Sequence, residues 1–364
     1  MHKYKIVVYA ISKNEEKYVD KWYESMKEAD KIYVLDTGST DKTVEMLKKH
    51  NVIVNAKIID PWRFDIARNY SLKIIPDTYD IYVCTDLDEV FNKGWRKELE
   101  NIWQKNTNRC TYIYNWLLDK NNKPLISFYY NKIHSKNDYT WIYPVHEILK
   151  TNNPVENYVS TNKIILNHYP DINKSRKSYL ELLKLAVLEN PNNDRYIYYL
   201  GREYMYNKDW NNSINTLKKY IDLNINNNEY ERNSAMRFIS RCYININKIY
   251  DAKKYLALSI KEMPYIKEPY IESALLYYIL ENYNKVISLC LKSLKIKTNE
   301  KNYTNEKFAN DGTVYELLAL SYFYKNNIKK AYKYINEAIN IEPNDIQLLK
   351  YKEIISSYII DHSK

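Results

Sequence analysis

Ile-Tyr-Val-Cys-Thr-Asp-Leu-Asp-Glu-Val, residues 81–90, is an apolar run that leads directly into three carboxylates within four residues. The apolar part predicts a buried β-strand, and the acidic part then stands at its carboxyl end. Carboxylates this close raise each other's pKa, so a positive group is expected beside them. A divalent cation such as Mg²⁺ or Mn²⁺, held by one or two carboxylates and by substrate phosphates, suits such a strand end. A plain turn with solvated acids is the alternative.

The bulk composition indicates a folded protein of two domains. The chain has 364 residues, of which 45% are hydrophobic and 27% are charged. The net charge of +10 is spread along the sequence, which favours a solvated surface, with weak attraction to an acidic partner or a membrane surface as the alternative. It forms no concentrated basic run, so we expect no nucleic-acid partner.

The cysteine spacing and the hydropathy pattern predict a cytoplasmic protein. The four cysteines are far apart and show no C-x-x-C spacing, so neither a disulfide scaffold nor a zinc site is expected. No apolar run approaches the roughly 20 residues that a transmembrane helix needs. The N-terminus lacks the apolar core of a signal peptide, and we therefore expect a soluble, reduced, intracellular protein.

The residues before the acidic stretch alternate between strand and helix patterns. Strands are predicted at residues 5–11, 32–35 and 52–54, and helices at residues 15–28 and 42–50. This alternation predicts an α/β domain with a doubly wound, mostly parallel sheet. Ligands of such sheets bind at the carboxyl ends of the strands, where Asn14, Glu15, Asp36, Asp86 and Asp88 all fall.

A further helix follows the third strand. Asp65 is predicted as its N-cap, and the helix then continues to about Ile74. Arg68 lies one turn in, where its guanidinium can meet a phosphate or one of the carboxylates in a bidentate fashion. A surface salt bridge is the alternative for Arg68.

Five motifs follow one another along the first half of the chain: Asn14-Glu15-Glu16 after the first strand, Asp36-Thr37-Gly38-Ser39-Thr40-Asp41, Phe64-Asp65 with Arg68-Asn69, Asp86-Leu87-Asp88-Glu89, and Val145-His146-Glu147. This ordered set resembles a family 2 glycosyltransferase with a GT-A (Rossmann-like) fold. The motifs extend over about residues 5–170 in the order of the family. The chain resembles in particular the subgroup with tetratricopeptide repeats behind the catalytic domain.

The resemblance implies a role for each matching position. Asp36 would contact the uracil or other base, and Ala10 and Glu15 would line the nucleotide pocket. Arg68 would support the diphosphate or the sugar. Asp86 would contact the ribose or the metal, and Asp88 would bind the metal. The implied reaction is a hexosyltransferase reaction in which Mn²⁺ or Mg²⁺ offsets the charge on a departing diphosphate, most simply that of a UDP-sugar.

Residues 110–170 are expected to form the acceptor side. An inverting transfer needs a group that takes the acceptor proton; Glu147 is the first candidate and His146 the alternative, since the Glu-Asp pair common in the family is absent. Trp141 or Tyr143 is a candidate for stacking on a sugar, with core packing as the alternative for Trp141. By resemblance, His168 at the end of a last strand would be a third metal ligand, with a buried hydrogen-bonded histidine as the alternative.

The second half of the sequence contains a repeat. Four pairs of positions twelve residues apart share one pattern, with a Tyr three residues after the first position: Gly201 and Ser213, Ser240 and Ala252, Ala274 and Val286, and Ala319 and Ala331. This is the tetratricopeptide pattern, whose nominal period is about 34 residues. The spacings between repeats are 39, 34 and 45 residues, so two loops carry insertions, the longer around residues 298–311.

These patterns predict a domain order and two candidate functions. Residues 1–170 would form the GT-A domain, 171–189 a connecting helix, and 190–364 about four helix pairs with a capping helix at residues 347–360. The first hypothesis is a metal-dependent inverting glycosyltransferase with a nucleotide-sugar donor and a glycan, peptide, protein or lipid-linked acceptor. The alternative is a non-catalytic interaction protein with an inert GT-A domain. The repeats would hold a peptide or protein, or form a homo-oligomer; a structural support for the catalytic domain is the third reading.

Overall fold

The computed structural model describes residues 2–135, 139–171, 177–223, 228–297 and 301–361. The chain divides into two compact units, Met1–Pro191 and Asn192–Lys364. Residues 172–176 of the predicted connecting helix and residues 298–300 of the predicted insertion lie outside the described residues. The domain boundaries at residues 170 and 190 stay predictions.

The first unit alternates strands and helices. Its strands are β1 (Ile6–Ser12), β2 (Lys31–Asp36), β3 (Ile53–Ala56), β4 (Ile81–Cys84), β5 (Glu89–Phe91), β6 (Arg109–Leu118), β7 (Pro124–Ser135), β8 (Tyr139–Ile142), β9 (Ile148–Thr151) and β10 (Tyr158–His168). Its helices are α1 (Glu16–Met26), α2 (Thr43–Lys49), α3 (Phe64–Lys73), α4 (Trp95–Ile102) and α5 (Lys177–Glu189).

Eight of these strands form one mostly parallel sheet in the order β3-β2-β1-β4-β7-β6-β10-β5. Strands β3, β2, β1 and β4 are parallel, β7 is antiparallel to both β4 and β6, and β10 is parallel to β6. The central strand β1 is buried along its whole length, which is why its sequence is a continuous apolar run. This architecture confirms the predicted α/β domain of GT-A type.

A second, two-stranded sheet consists of β8 and β9, which form a hairpin around residues 143–147. Trp141 and Leu149 of this hairpin pack in one apolar cluster with Val7 and Tyr9 of β1. The hairpin therefore lies against the sheet face that β1 presents, and its turn carries the candidate base Glu147.

The N-cap of α3 is Arg63, so the prediction of Asp65 at that position is wrong. Asp65 lies in the first turn, where its carboxylate accepts hydrogen bonds from the Arg63 guanidinium at 2.9 and 3.1 Å. The backbone N–H of Phe64 donates to the carbonyl of Pro144 at 3.0 Å. The helix start is thus fixed by a tertiary contact that a capping pattern does not reveal.

The second unit is built from consecutive helices. They are α6 (Asp194–Tyr206), α7 (Trp210–Leu223), α8 (Glu229–Asn245), α9 (Ile249–Glu262), α10 (Glu268–Ile279), α11 (Tyr283–Ser293), α12 (Thr313–Tyr324), α13 (Ile328–Ile341) and α14 (Ile346–Asp361). Each even-numbered helix from α6 to α12 packs on the helix that follows it, and α14 packs on α13. The four predicted helix pairs and the final helix are therefore present in the described part of the chain.

The residues of the repeat pattern lie between the paired helices. Ser213, Ser240, Ala252, Ala274, Val286, Ala319 and Ala331 have no exposed surface. Ser213 donates a hydrogen bond to the Gly201 carbonyl at 2.8 Å, and Ser240 donates to the Ala252 carbonyl at 3.0 Å. Small residues allow this close approach, as predicted for tetratricopeptide repeats. No helix within the described residues is long and apolar enough to cross a membrane.

Candidate active site

Asp36, Asp86 and Asp88 lie at or just after the carboxyl ends of β2 and β4, on one edge of the sheet. Ser12 pairs with Asp36 across β1 and β2, and Thr85, directly after β4, donates its N–H to the Tyr9 carbonyl. Because β2 and β4 are separated only by β1, their ends are roughly 10 Å apart at the usual strand spacing. The strand order thus places Asp36 and the acids at 86–89 on the same edge of the sheet, and their convergence on a cation stays a prediction.

Asp36 organises the loop that follows β2. Its carboxylate accepts hydrogen bonds from the N–H groups of Gly38 and Ser39, both at 3.0 Å, and from the hydroxyls of Ser39 (2.5 Å) and Ser12 (3.1 Å). Gly38 has φ +107°, a conformation that suits glycine. The Asp36 side chain is therefore held by its own loop, and any contact to a base would add to these bonds.

The loop after β1 is tied to the loop after β2. Asn14 has φ 55°, and its side-chain oxygen accepts the N–H of Thr40 at 2.7 Å. The N–H of Glu15 donates to the Thr43 hydroxyl at 2.7 Å. These bonds form a rigid rim beside Asp36, and Glu15 is mostly buried within it.

Helix α3 holds the 143–147 turn. The Asn69 side chain both donates to the Trp141 carbonyl (2.8 Å) and accepts the Trp141 N–H (2.9 Å). Within the turn, Tyr143 and His146 have φ values of 92° and 51°. Such positive values are strained for bulky residues and persist only where surrounding contacts impose them. Asn69 thus fixes β8 just before the turn, and the Phe64 N–H of α3 bonds to the Pro144 carbonyl within it.

Arg68 joins the two halves of the site. Its Nη2 lies 2.6 Å from Oδ1 of Asp86, and its Nε lies 3.0 Å from Oε1 of Glu147. The Arg68 side chain is 2% exposed, so this is a buried bridge and the surface alternative is wrong. The guanidinium thus connects the acid after β4 to the candidate base on the β8–β9 turn.

Lys132 of β7 is a second cation beside Asp86. Its Nζ lies 3.5 Å from Oδ2 of Asp86, and the Lys132 side chain is buried. Burial would raise the pKa of Asp86, but Arg68 and Lys132 outweigh it and lower that pKa. Asp86 therefore stays ionised, with a cation on each of its oxygens.

Asp88 and His168 form a separate pair. Nε2 of His168 lies 3.3 Å from Oδ2 of Asp88, and Nδ1 of His168 donates to the Trp116 carbonyl at 3.1 Å. Burial acts to lower the pKa of His168, but the hydrogen bond and charge of Asp88 raise it overall. The Trp116 bond fixes which nitrogen of the ring faces Asp88.

Glu89 lies beneath this pair. Its carboxylate accepts the Asp86 N–H at 2.9 Å and the Tyr114 hydroxyl at 2.8 Å. Burial raises the pKa of Glu89, and the charges of Asp86 and Asp88 add to that effect. Glu89 thus stabilises the turn between Asp86 and Asp88 through its hydrogen bond from the Asp86 N–H.

The donor set suits a hard cation only in part. Among the described residues, no group of three or more His, Cys, Asp or Glu side chains is arranged to hold a metal ion. Asp88 and His168 supply two ligands, and Mg²⁺ in proteins takes its remaining ligands from water and substrate phosphates. The pair therefore fits a cation that arrives with a diphosphate. Asp86 fits poorly as a ligand because both of its oxygens already contact cations.

Several predicted residues are not at an open surface. Trp141 is 2% exposed and donates its indole N–H to the Tyr9 hydroxyl at 3.1 Å, so core packing is right and sugar stacking is wrong for it. The Ala10 methyl is fully buried in the main core of the sheet, which disfavours a nucleotide contact through it. The His146 ring is half-buried and meets the Tyr179 ring edge-on at 6.0 Å.

Sequence reasoning missed Lys132 and Trp116. Trp116 is 45% exposed and stacks on His168, with the ring centroids 4.6 Å apart. Both lie on strands where side chains alternate between faces. Lys132 stands two residues from Tyr130 and from His134, and this spacing places all three on one face of β7. The alternating side-chain pattern of β7 is the sequence feature that could have identified Lys132.

Comparison with known proteins agrees with the fold and the motif order. Residues 7–156 match the model of the family described as glycosyl transferase family 2. The first unit contains a family 2 glycosyl transferase domain. The match includes Asp36, Arg68, Asp86, Asp88 and Glu147 and ends before His168. No curated protein matches the sequence.

Solved structures that resemble the chain are tetratricopeptide-type proteins. A crystal structure of MamA is 21% identical, covers 49% of this chain and 99% of its own, and has a TM-score of 0.38. A thermophilic TPR protein in Thermus thermophilus is 16% identical and covers 49% of this chain and 89% of its own, with a TM-score of 0.37. YrrB, described as a TPR protein with an unusual peptide-binding site, is 14% identical and covers 49% and 83%, with a TM-score of 0.37. The repeat assignment of the second unit rests on its own helix pairing.

Proposed function

We propose that the first unit transfers a sugar from a nucleotide-sugar, in the first instance a UDP-sugar, to an acceptor, with inversion at the anomeric carbon. The observation that carries the proposal is the buried bridge from Asp86 through Arg68 to Glu147. It joins a donor-side acid to a candidate base at the carboxyl edge of the sheet, where ligands of α/β folds bind.

On the donor side, Asp36 and Glu15 would recognise the nucleoside, and Arg68 would support the diphosphate or the sugar. Asp86 would contact the ribose. Asp88 and His168 would hold Mn²⁺ or Mg²⁺ together with diphosphate oxygens; such a cation offsets the charge on the leaving diphosphate.

On the acceptor side, Glu147 would take the proton from the attacking group as its oxygen bonds to the anomeric carbon and the diphosphate leaves. Arg68 orients the Glu147 carboxylate through the 3.0 Å contact. His146 is the alternative base. The ionised carboxylates nearby would stabilise the positive charge that develops on the sugar.

The proposal is tested by a donor screen on the full chain. UDP release from UDP-glucose, UDP-galactose and UDP-N-acetylglucosamine is measured with Mn²⁺ and after chelation. Release that needs the metal, disappears in Asp88→Asn and persists in Asp20→Asn supports the proposal; Asp20 is a matched aspartate on α1 that is 71% exposed. Metal-independent release would contradict the cation role.

The alternative function is a repeat-based interaction protein with an inert front unit, and the paired helices of the second unit favour it. No UDP release and no thermal shift with any of the three donors would support this alternative. Under either function we propose a cytoplasmic location, with a peptide, protein or second copy of the chain bound by the repeats.

A further inference from the structure

The longest insertion of the second unit lies over its own helices. Residues 301–311, here called the insertion segment, precede α12 and include a short 3₁₀ turn, Lys307–Ala309. They belong to the spacing of 45 residues between Ala274 and Ala319, against a nominal repeat of about 34. A repeat does not need this segment to form its helix pair.

Glu306 of the insertion segment lies between two arginines of α8. Its Oε1 is 3.2 Å from Nη1 of Arg237 and 2.7 Å from Nη2 of Arg241. Both arginines also pair with Glu272 of α10, 3.4 Å away from Arg237. Two cations thus meet two carboxylates, and one carboxylate comes from the insertion segment.

Three neighbouring residues of the insertion segment also bind these helices. Tyr303 donates its hydroxyl hydrogen to Glu231 of α8. The Thr304 carbonyl accepts a hydrogen bond from Nη2 of Arg237 at 3.3 Å. Asn305 donates to Glu268 of α10 at 3.0 Å. Each of residues 303–306 therefore has a polar contact with α8 or α10, which Thr304 makes through its backbone carbonyl and the other three make through their side chains.

The later part of the insertion segment is anchored differently. Ala309 is buried in the apolar core of the repeats, and Phe308 packs against that core. Residues 303–306, in contrast, contact α8 and α10 through the hydrogen bonds and ion pairs above. The apolar anchor at residues 308 and 309 is therefore separate from the polar contacts of residues 303–306.

The charges explain why the face favours a carboxylate as its occupant. Arg237 is 1% exposed and keeps Glu272 as a partner, but without Glu306 the two arginines share one carboxylate. Glu306 is 26% exposed, and ion pairs open to water are weakened by solvent and salt. The α8–α10 face thus favours a second carboxylate between Arg237 and Arg241 but holds Glu306 only moderately.

We propose that this α8–α10 face is a binding site for a peptide with a tyrosine and a glutamate three residues apart and that residues 303–306 occupy it as an internal competitor. The partner is a peptide with a carboxylate that replaces Glu306 between Arg237 and Arg241. An aromatic hydroxyl three residues earlier replaces Tyr303 at Glu231. A tethered segment acts at an effective concentration on the order of millimolar. It therefore excludes peptides of low affinity, and peptides of high affinity displace it. The proposal does not depend on the activity of the first unit.

The test uses a labelled synthetic peptide with the sequence of residues 301–311, KNYTNEKFAND. Its binding to the full chain is measured by fluorescence anisotropy. Tyr303→Phe/Glu306→Gln weakens the internal occupant and leaves the face intact; Tyr250→Phe/Glu353→Gln is the matched control outside the site. We expect the first variant to bind the peptide about tenfold more tightly than wild type or control, because a larger fraction of its sites is open. A peptide with Gln for Glu should lose that gain.

Equal affinity for all three proteins, no binding to a folded Tyr303→Phe/Glu306→Gln variant, or equal binding of the Gln peptide would overturn the proposal. If that variant does not fold, the same question is asked of wild type by hydrogen exchange. Excess KNYTNEKFAND should then speed exchange at residues 303–306 by displacing them, and unchanged exchange would overturn the proposal.

Discussion

Replacing Arg68 by methionine is expected to destabilise the first unit, because Arg68 is the shared cation of two acid contacts. Removing one partner of a buried ion pair typically costs about 3–5 kcal/mol. Asp86 is 34% exposed and keeps Lys132 at 3.5 Å, so the loss of its contact with Arg68 adds little to the change in the free energy of unfolding. Glu147 is 9% exposed. The expected loss for Arg68→Met is therefore at the lower end, about 3 kcal/mol.

Urea unfolding followed by tryptophan fluorescence measures this loss in the full chain. Six of the seven tryptophans belong to the first unit, and only Trp210 belongs to the second, so the signal reports mainly the first unit. With a slope of about 2 kcal/mol per molar urea, the midpoint should fall by roughly 1.5 M. Arg63→Met is the matched control; Arg63 pairs with Asp65 and Glu189 nearer the surface and should cost at most about 1 kcal/mol.

A double-mutant cycle tests whether the bridge itself is the cause. Glu147→Gln leaves Arg68 paired with Asp86 and should cost about 1 kcal/mol. Arg68→Met/Glu147→Gln should cost less than the sum of the single changes by about 1 kcal/mol or more, since the orphaned carboxylate is gone. A midpoint for Arg68→Met close to that of wild type, or simple additivity in the cycle, would refute the reasoning.

Three further outcomes are expected. Gly201→Ala places a Cβ 2.6 Å from Cγ and Cδ2 of Leu217 and should cost about 1–3 kcal/mol, seen as a lower midpoint in thermal circular dichroism; an unchanged midpoint would contradict the close α6–α7 approach. Burial lowers the pKa of His134 to about 3, so the folded state resists protonation. The free energy of unfolding should therefore drop by about 1.6 kcal/mol between pH 6.5 and 5, and this loss should be absent in His134→Gln. The same change of urea midpoint between the two pH values in both proteins would argue against it. His168→Gln should weaken Mn²⁺ binding in the presence of UDP by more than the roughly tenfold typical of an outer-shell residue, measured by titration calorimetry, whereas unchanged affinity would remove His168 from the site.

The strands and helices of the sheet edge could be predicted because burial dictates their sequence. Strand β1 is covered on both faces and reads as an unbroken apolar run, and β4 does the same before its acids. The repeat positions could also be predicted from the sequence, since close helix packing at Gly201 and Ser213 admits only small residues there. In both cases the local sequence carries the constraint.

The sequence was insufficient where a distant contact decides the structure. Asp65 matched an N-cap pattern, but the Phe64–Pro144 hydrogen bond sets the helix start. For Trp141 the sequence left sugar stacking and core packing open, and the bond of its indole to Tyr9 of β1 decides for core packing. Both contacts join segments more than 70 residues apart, and no local pattern records them.

The crowded acids after β4 required positive charge, and the first expectation was that a metal ion would supply it. Arg68 of α3 and Lys132 of β7 lie beside Asp86 and offset its charge. The crowding of acids predicts a positive partner but does not tell whether that partner is a side chain or a metal ion. In the proposed function the metal would lie at Asp88, whose neighbour His168 would offer a neutral nitrogen once its proton leaves. Substitution of Asp88 or His168 should therefore change how the activity depends on the metal. Substitution of Asp86 should instead act through Arg68 and the orientation of Glu147.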